Sequence, residues 1–521
     1  MNIEKNITSI KILFFGLSTL LVLLVASGSI FLTNNIYFTK EYAQININYL
    51  SNKIDFVKSN DNLITGFLAT EGTKDYNYDE KAKAIPVLLY HGIVNQPDNA
   101  NVLVSEFKNQ MFTLKKDGWQ TITIDEFNEF MKGEIELPKK SFLLTFDDGR
   151  KDSYYPVDPI LKTLDYKAVM FIITKYSLEK YSGNYYLSLD EIKQMSNSGR
   201  WDIQAHTKEG HELIIIDSNG TKAPYYTAKI YLENGGRIET NEEYQVRIDT
   251  DMVDAKRDIE AELGNNVIGF AYPFGEFGQN ETNFNDAKLV IHDIVQQIYP
   301  LAFYQVWGDY QFNIPNSNTL LIKRIEITPD FMANDLLNTL ESGNLKNIPF
   351  NDIFEKNNGW IKRWGEFNIK DNTLLIRTSE KSTGALVFLD GTEEWENYKF
   401  TARINTVKGE SVTLVSNYKN ELNYDSCIFT TKNIRIEQVI DGHRKTLTKK
   451  IGDSQFIGTV RDLSLSTKDN GIACYLDSKL IIKAKVTDKS NKGGIGLKIW
   501  DPIENNSEIK VKNIIVESMN T

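Results

Sequence analysis

Cysteine is nearly missing from this chain of 521 residues: Cys427 and Cys474 are the only two. Such scarcity excludes a CxxC zinc site and a disulfide framework. A single bridge between the two stays open, against two buried free thiols, which ordinary cysteine burial favours. Histidine is also sparse, at five residues, so imidazole chemistry has few candidates. An excess of positive charge is absent as well. The formal net charge of -11 argues against non-specific binding to a phosphate backbone, and no nucleic-acid partner is expected. Internal repeats and low-complexity tracts are missing, and nothing in the sequence points to a particular protein partner.

What is present exceeds one ordinary domain in length. Hydrophobic residues at 41% and charged residues at 25% are usual for globular chains. The 25 tyrosines and 27 phenylalanines fit a sugar-handling surface or a β-rich core, and a core is the default.

Ile12 to Leu32 carries no charge. At about 1.5 Å per residue it is long enough to cross a hydrocarbon layer of about 30 Å. Lys5 and Lys11 precede it, which keeps the tip cytoplasmic and exports the remainder. The expectation is a single-pass cell-membrane anchor over residues 1–36, followed by a stalk over 37–84. A cleaved signal peptide, which would give a secreted protein, is the alternative. Ala26 and Gly28 could serve as its small-residue site, but Ile30, Phe31 and Leu32 extend the apolar run beyond them.

Over residues 85–346, continuous apolar runs alternate with amphipathic stretches. The predicted strands are 85–91, 141–146, 168–174, 201–206, 267–274, 301–307 and 320–327. Such runs suit a parallel sheet covered on both faces. Thr123 with Glu126 and Ser188 with Glu191 read as capping boxes, and Pro329 after Thr328 as a helix start. The pattern predicts an α/β unit, a distorted (β/α) barrel or a doubly wound sheet. Over residues 350–521, short alternating strands with Gly, Asn and Asp turns predict an all-β sandwich of jelly-roll type.

Functional groups gather where parallel strands end. His91 ends the first run, Asp147 and Asp148 follow the second, His206 ends the fourth and Phe274 the fifth. Carboxylate oxygen and imidazole nitrogen suit zinc, and also cobalt, nickel or iron. Asp148, His206 and His211 would supply three ligands and leave positions open, as catalytic metal sites do. Asp147 stands beside a ligand, where it could take a proton from an activated water. Gly149 permits a tight turn. Taken singly, an Asp-Asp-Gly run is a common turn and a histidine is most often a structural residue. His292, in a helical stretch, and His443, in a hairpin turn, read as structural.

These residues carry a resemblance. From Ile85 to Gly343 the chain resembles the polysaccharide deacetylase (NodB-homology) family of metal-dependent carbohydrate esterases on a distorted barrel. TFDDG (Thr145–Gly149) is similar to its first motif, which implies that Asp147 is the base and Asp148 a metal ligand. HTKEGH (His206–His211) resembles its second motif with one extra residue between the histidines. That spacing matches the branch acting on poly-β-1,6-N-acetylglucosamine. AYPFG (Ala271–Gly275) resembles the third motif, which implies a main-chain oxyanion contact at Phe274 and a place for Tyr272 at the substrate. The family's late Leu-x-x-His is missing, whereas LLYHGI (Leu88–Ile93) matches the branch's early Tyr-His and implies His91 as the general acid. The arginine that orients the base in the third motif is absent. Arg324 is offered as its replacement, a surface salt bridge being the plain alternative. Trp307 is read either as lining the sugar site or as core.

The resemblance implies an extracytoplasmic N-deacetylase of an N-acetylglucosamine polymer, using a divalent metal such as zinc. A peptidoglycan deacetylase and a catalytically silent glycan-binding protein are the alternatives. The C-terminal unit resembles concanavalin-like (laminin G-type) jelly rolls, many of which bind carbohydrate. Trp360, Trp364, Trp395 and Trp500 there are core residues or sugar platforms, with core as the default.

Overall fold

The computed structural model describes residues 80–179, 184–280, 282–305, 310–452, 458–486 and 492–519. The apolar run Ile12–Leu32, the stalk as far as residue 79, and Trp307 lie outside the described residues. Among the described residues, no helix is long and apolar enough to cross a membrane.

Seven strands of the N-terminal half form one closed sheet: β1 (Val87–Tyr90), β2 (Ser141–Phe146), β3 (Ala168–Ile173), β4 (Trp201–Thr207), β5 (Gly269–Ala271), β6 (Leu301–Gln305) and β7 (Ile322–Glu326). All neighbours are parallel, in the order β1-β7-β6-β5-β4-β3-β2, and β1 also pairs with β2, so the sheet closes into a barrel. Pleating sends alternate residues to opposite faces. Val87, Leu143, Val169, Phe171, Ala271, Phe303 and Ile322 share the interior cluster. Leu88, Leu144, Met170, Ile203, Phe270 and Ala302 pack outward in the cluster that the surrounding helices complete. Both faces are therefore apolar, which is why the strands read as unbroken runs.

The longer helices are α1 (Val104–Lys116), α2 (Ile124–Met131), α3 (Asp158–Leu164), α4 (Leu189–Asn197), α5 (Asn241–Leu263), α6 (Ala287–Ile298) and α7 (Ala333–Ser342), with one further turn at Thr174–Ser177. Thr123 and Glu126 cap α2 reciprocally, and Ser188 and Glu191 cap α4. α2 contributes Ile124, Phe127, Phe130 and Met131 to the barrel interior. It follows a two-residue strand that pairs with the first residues of β2, so it closes the end where the strands begin. Pro329 does not open a helix. A turn occupies that position, and α7 starts at Ala333, where the Asp335 carboxylate accepts the Met332 N–H at 3.2 Å. The expected strand over 267–274 is shorter, because Pro273 ends the ladder and Phe274 turns to φ 59°.

The C-terminal half is antiparallel. Its strands are β8 (Phe350–Asp352), β9 (Trp360–Trp364), β10 (Glu366–Ile369), β11 (Leu374–Arg377), β12 (Gly384–Leu389), β13 (Tyr398–Lys408), β14 (Ser411–Asn420), β15 (Asn423–Thr430), β16 (Asn433–Ile440), β17 (His443–Ile451), β18 (Val460–Lys468), β19 (Gly471–Leu476), β20 (Lys479–Lys485), β21 (Gly494–Trp500) and β22 (Glu508–Ser518). One sheet runs β10-β11-β22-β13-β18-β19-β20 with β8 on β22, the other β9-β12-β21-β14-β15-β16-β17. Residues of both enclose one apolar core. Cys427 on β15 and Cys474 on β19 are bridged, tying the two sheets together, so the expectation of free thiols is corrected. The pleat turns both cysteines into the shared core, where they meet. Where the halves join, Lys346 Nζ donates to the carbonyls of Ser342 and Asp390, and Trp395 Nε1 donates to the Lys346 carbonyl.

Candidate functional site

The site lies where the barrel strands end, and strand pleating selects its members. Asp147 continues the inward parity of Leu143 and Thr145, Arg324 that of Ile322, and His206 that of Gln204. Inside the barrel mouth, Arg324 Nη1 and Nη2 donate to Asp147 Oδ1 and Oδ2 at 2.7 and 2.8 Å. Arg324 is wholly buried, which removes the reading of a surface salt bridge. Burial alone would raise the Asp147 carboxyl. The Arg324 charge, with His206 behind it, prevails and lowers it to about 2.

Asp148 takes φ 74° and Gly149 φ 71°, two left-handed residues in succession that turn the chain sharply after β2. Asp148 Oδ1 then lies 3.6 Å from His206 Nε2 and 3.5 Å from His211 Nε2. The donor atoms of Asp148, His206 and His211 all fall within 4.8 Å of one another. Asp148 Oδ1 is buried and accepts no hydrogen bond. Donors held roughly 2.0–2.2 Å from one tetrahedral zinc stand about 3.5 Å apart, so the trio fits such an ion. His206 Nδ1 lies 2.7 Å from the Ala271 carbonyl, which draws the ring proton to Nδ1 and leaves Nε2 bare toward Asp148. Burial lowers the His206 imidazole to about 4, so it stays neutral, as a ligand must.

The loop between the two histidines is held by a residue that motif reading misses. Asp251, on α5, accepts Thr207 Oγ1 at 2.6 Å and the N–H groups of Lys208 and Glu209 at 3.0 and 2.6 Å. Tyr226 adds its hydroxyl at 2.5 Å. A Cβ on Gly210 would meet the Tyr226 ring at 2.1 Å, so only glycine fits there. The segment between His211 and β5, which carries α5, thus steadies the His206–His211 segment. No local motif marks Asp251, which lies 44 residues beyond Thr207.

His91 borders a cleft of about 700 Å³ together with Asn101, Arg150, Glu326 and Asp330. Its Nδ1 lies 3.9 Å from Glu326 Oε1. The Phe274 ring packs on His211, with centroids 4.3 Å apart, at the rim of the site. Tyr272 is corrected. It has the parity of Phe270, its ring faces the helix layer, and its hydroxyl donates to the Leu320 carbonyl, so its side chain does not reach the substrate side.

Residues 134–289 match the family described as polysaccharide deacetylase. Over 187 residues the chain is 27% identical to the poly-beta-1,6-N-acetyl-D-glucosamine N-deacetylase of Escherichia coli (strain K12), covering 34% of this chain and 28% of that protein. The chain therefore spans little more than a quarter of that relative. Over 276 residues it is 26% identical to the enzyme of the same name from Staphylococcus aureus (strain COL), covering 53% of this chain and 75% of that one. A solved de-N-acetylase from Aggregatibacter actinomycetemcomitans is 22% identical with a TM-score of 0.43, covering 49% of this chain and 99% of that one.

Proposed function

We propose that this protein is a metal-dependent hydrolase that removes acetyl groups from N-acetylglucosamine units of an extracellular polysaccharide of the poly-β-1,6-linked kind. The observation that carries this reading is the orphaned, buried Asp148 carboxylate facing two imidazoles beside the Asp147–Arg324 pair. The relatives' names support the choice of substrate.

Asp148, His206 and His211 would hold the metal, with zinc, cobalt, nickel or iron all suited to the donor set. When bound, it would polarise the amide carbonyl and acidify a water. Asp147 takes the proton from that water, while Arg324 keeps its carboxylate ionised and fixed in place. The Phe274 N–H donates to the developing oxyanion. His91, whose Nδ1 lies 3.9 Å from the Glu326 carboxylate, gives a proton to the departing nitrogen. Water adds to the carbonyl carbon, the C–N bond breaks, and acetate and a free amine leave.

Export past the membrane belongs to the same proposal, with Ile12–Leu32 as anchor or cleaved leader. The Cys427–Cys474 bridge supports it, since such bonds persist in oxidising compartments. We read the sandwich as a concanavalin-like jelly roll.

Acetate release from defined β-1,6 N-acetylglucosamine oligomers, with metal stripped and restored, tests the assignment. Metal-dependent release is expected. Equal turnover after stripping, or release only from peptidoglycan fragments, would overturn it.

A further inference from the structure

The outer face of the second sheet carries a cleft of about 320 Å³, remote in the fold from the barrel chemistry. The pleat builds it. Val412, Leu414, Cys427, Phe429, Leu497 and Ile499 turn into the sandwich core. Their alternates on β14, β15 and β21 therefore face outward. Three of these, Ser411, Thr413 and Ser426, are short hydroxyl residues and form a buried floor. Long side chains from flanking positions rise around them, Trp364 from β9, Arg435 from β16, Arg444 from β17 and Trp500 from the end of β21. A floor of small residues walled by large ones leaves a trough rather than a flat sheet.

The tryptophans divide by location. Trp360 and Trp395 are core, as expected by default. Trp500 is 41% exposed at the cleft, and Trp364 lines the same wall. An indole left half in water offers a flat apolar face, the surface on which the C–H face of a pyranose ring packs. Hydroxyls and guanidinium groups at the same site match the hydroxyls of a sugar.

The charge of the lining narrows the ligand further. Arg435, Arg444 and Lys498 line the cleft with one carboxylate, Glu437, and Lys498 Nζ stands over the Trp364 ring, 5.5 Å from its centroid. Glu437 accepts Arg435 Nε at 2.6 Å and lies 3.6 Å from Arg444 Nε, so a single buried acid holds both guanidiniums at the wall. Lys449 lies opposite Arg435 in register and adds a further cation on that face. The excess is positive in a chain whose net charge is -11. A neutral glycan makes no use of it, and a polymer bearing free amines would be repelled.

We propose that this cleft binds an acidic saccharide. A sugar ring rests against Trp500, and its carboxylate or phosphate is held by Arg435 and Arg444. The ligand is thus chemically distinct from the polymer assigned to the barrel, and the inference stands whether or not the barrel reading does.

The test is isothermal titration calorimetry on the full chain. Digalacturonate supplies the carboxylate arm, glucose 6-phosphate the phosphate arm, cellobiose the neutral arm and a glucosamine dimer the cationic arm. At least one acidic sugar is expected to bind ten-fold or more tighter than cellobiose, with affinity falling as salt rises. Arg444→Gln and Trp500→Ala should each weaken that binding at least ten-fold, whereas Trp500→Phe keeps most of it. Acetate release from short oligomers should stay unchanged in all three variants. Failure of both acidic sugars to bind, equal binding of cellobiose, or full affinity in a natively folded Arg435→Gln/Arg444→Gln variant would overturn the proposal.

Discussion

Arg324 and Asp147 stand 177 residues apart in sequence and meet as a two-pronged ion pair sealed inside the barrel mouth. Arg324→Met would leave a buried carboxylate without its cation, a change that costs about 3–5 kcal/mol. The pair's contribution has a definite pH window. The Asp147 carboxyl lies at about 2 in the folded chain, below its usual value. Its stabilisation is therefore complete above the unfolded carboxyl value and is lost as pH falls toward 2. Urea unfolding of the metal-stripped proteins should show the gap between wild type and variant shrinking over that acid range. A gap independent of pH would contradict the pairing.

Asp148→Asn keeps the shape of the turn but removes the anionic donor. The expected outcome is a folded protein that no longer retains a stoichiometric divalent ion and releases no acetate, checked by metal analysis after gel filtration and by acetate assay. A variant that kept its metal at full stoichiometry would remove Asp148 from the ligand set.

Asp251→Asn tests whether α5 steadies the metal loop. Its carboxylate accepts from Thr207 and from the N–H groups of Lys208 and Glu209, and an amide of the same shape replaces one acceptor with a donor. Supporting contacts of this kind are worth about 10–100-fold in metal affinity. A competition titration with a chelator should find that loss while circular dichroism stays native-like.

The bridge between Cys427 and Cys474 closes a segment with a sequence separation of 47. Loop-closure entropy for that length is about 4 kcal/mol. Cys427→Ser/Cys474→Ser should lower the unfolding free energy of the sandwich by up to that amount, read from urea unfolding with and without reductant. Acetate release from short oligomers should persist. A reductant-insensitive transition would show the bridge to be dispensable.

Much of this site could be read from the chain because it sits on strands. Apolar runs gave the barrel strands, and their ends gave Asp147, Asp148 and His206. Parity along a strand is equally readable, and it separates Arg324, which faces inward with Ile322, from Tyr272, which faces outward with Phe270. Tyr272 was misplaced because motif position was followed rather than pleat. Asp251 was invisible for another reason: it acts across a tertiary contact between a helix and a loop, and no local pattern encodes that. The cysteine pairing is of the same kind, since parity places each thiol in the core but does not say which strand of the opposite sheet faces it. Pro329 misled because a proline suits a turn before a helix as well as the first turn inside it.

One consequence follows from α2, whose Ile124, Phe127 and Phe130 stopper the barrel beneath the reacting groups. The barrel is a cup rather than a pipe. Whatever reacts at the brim must come and go by one opening, so the polymer proposed above would lie crosswise over it, offering one unit at a time from the middle of its length as readily as from a tip.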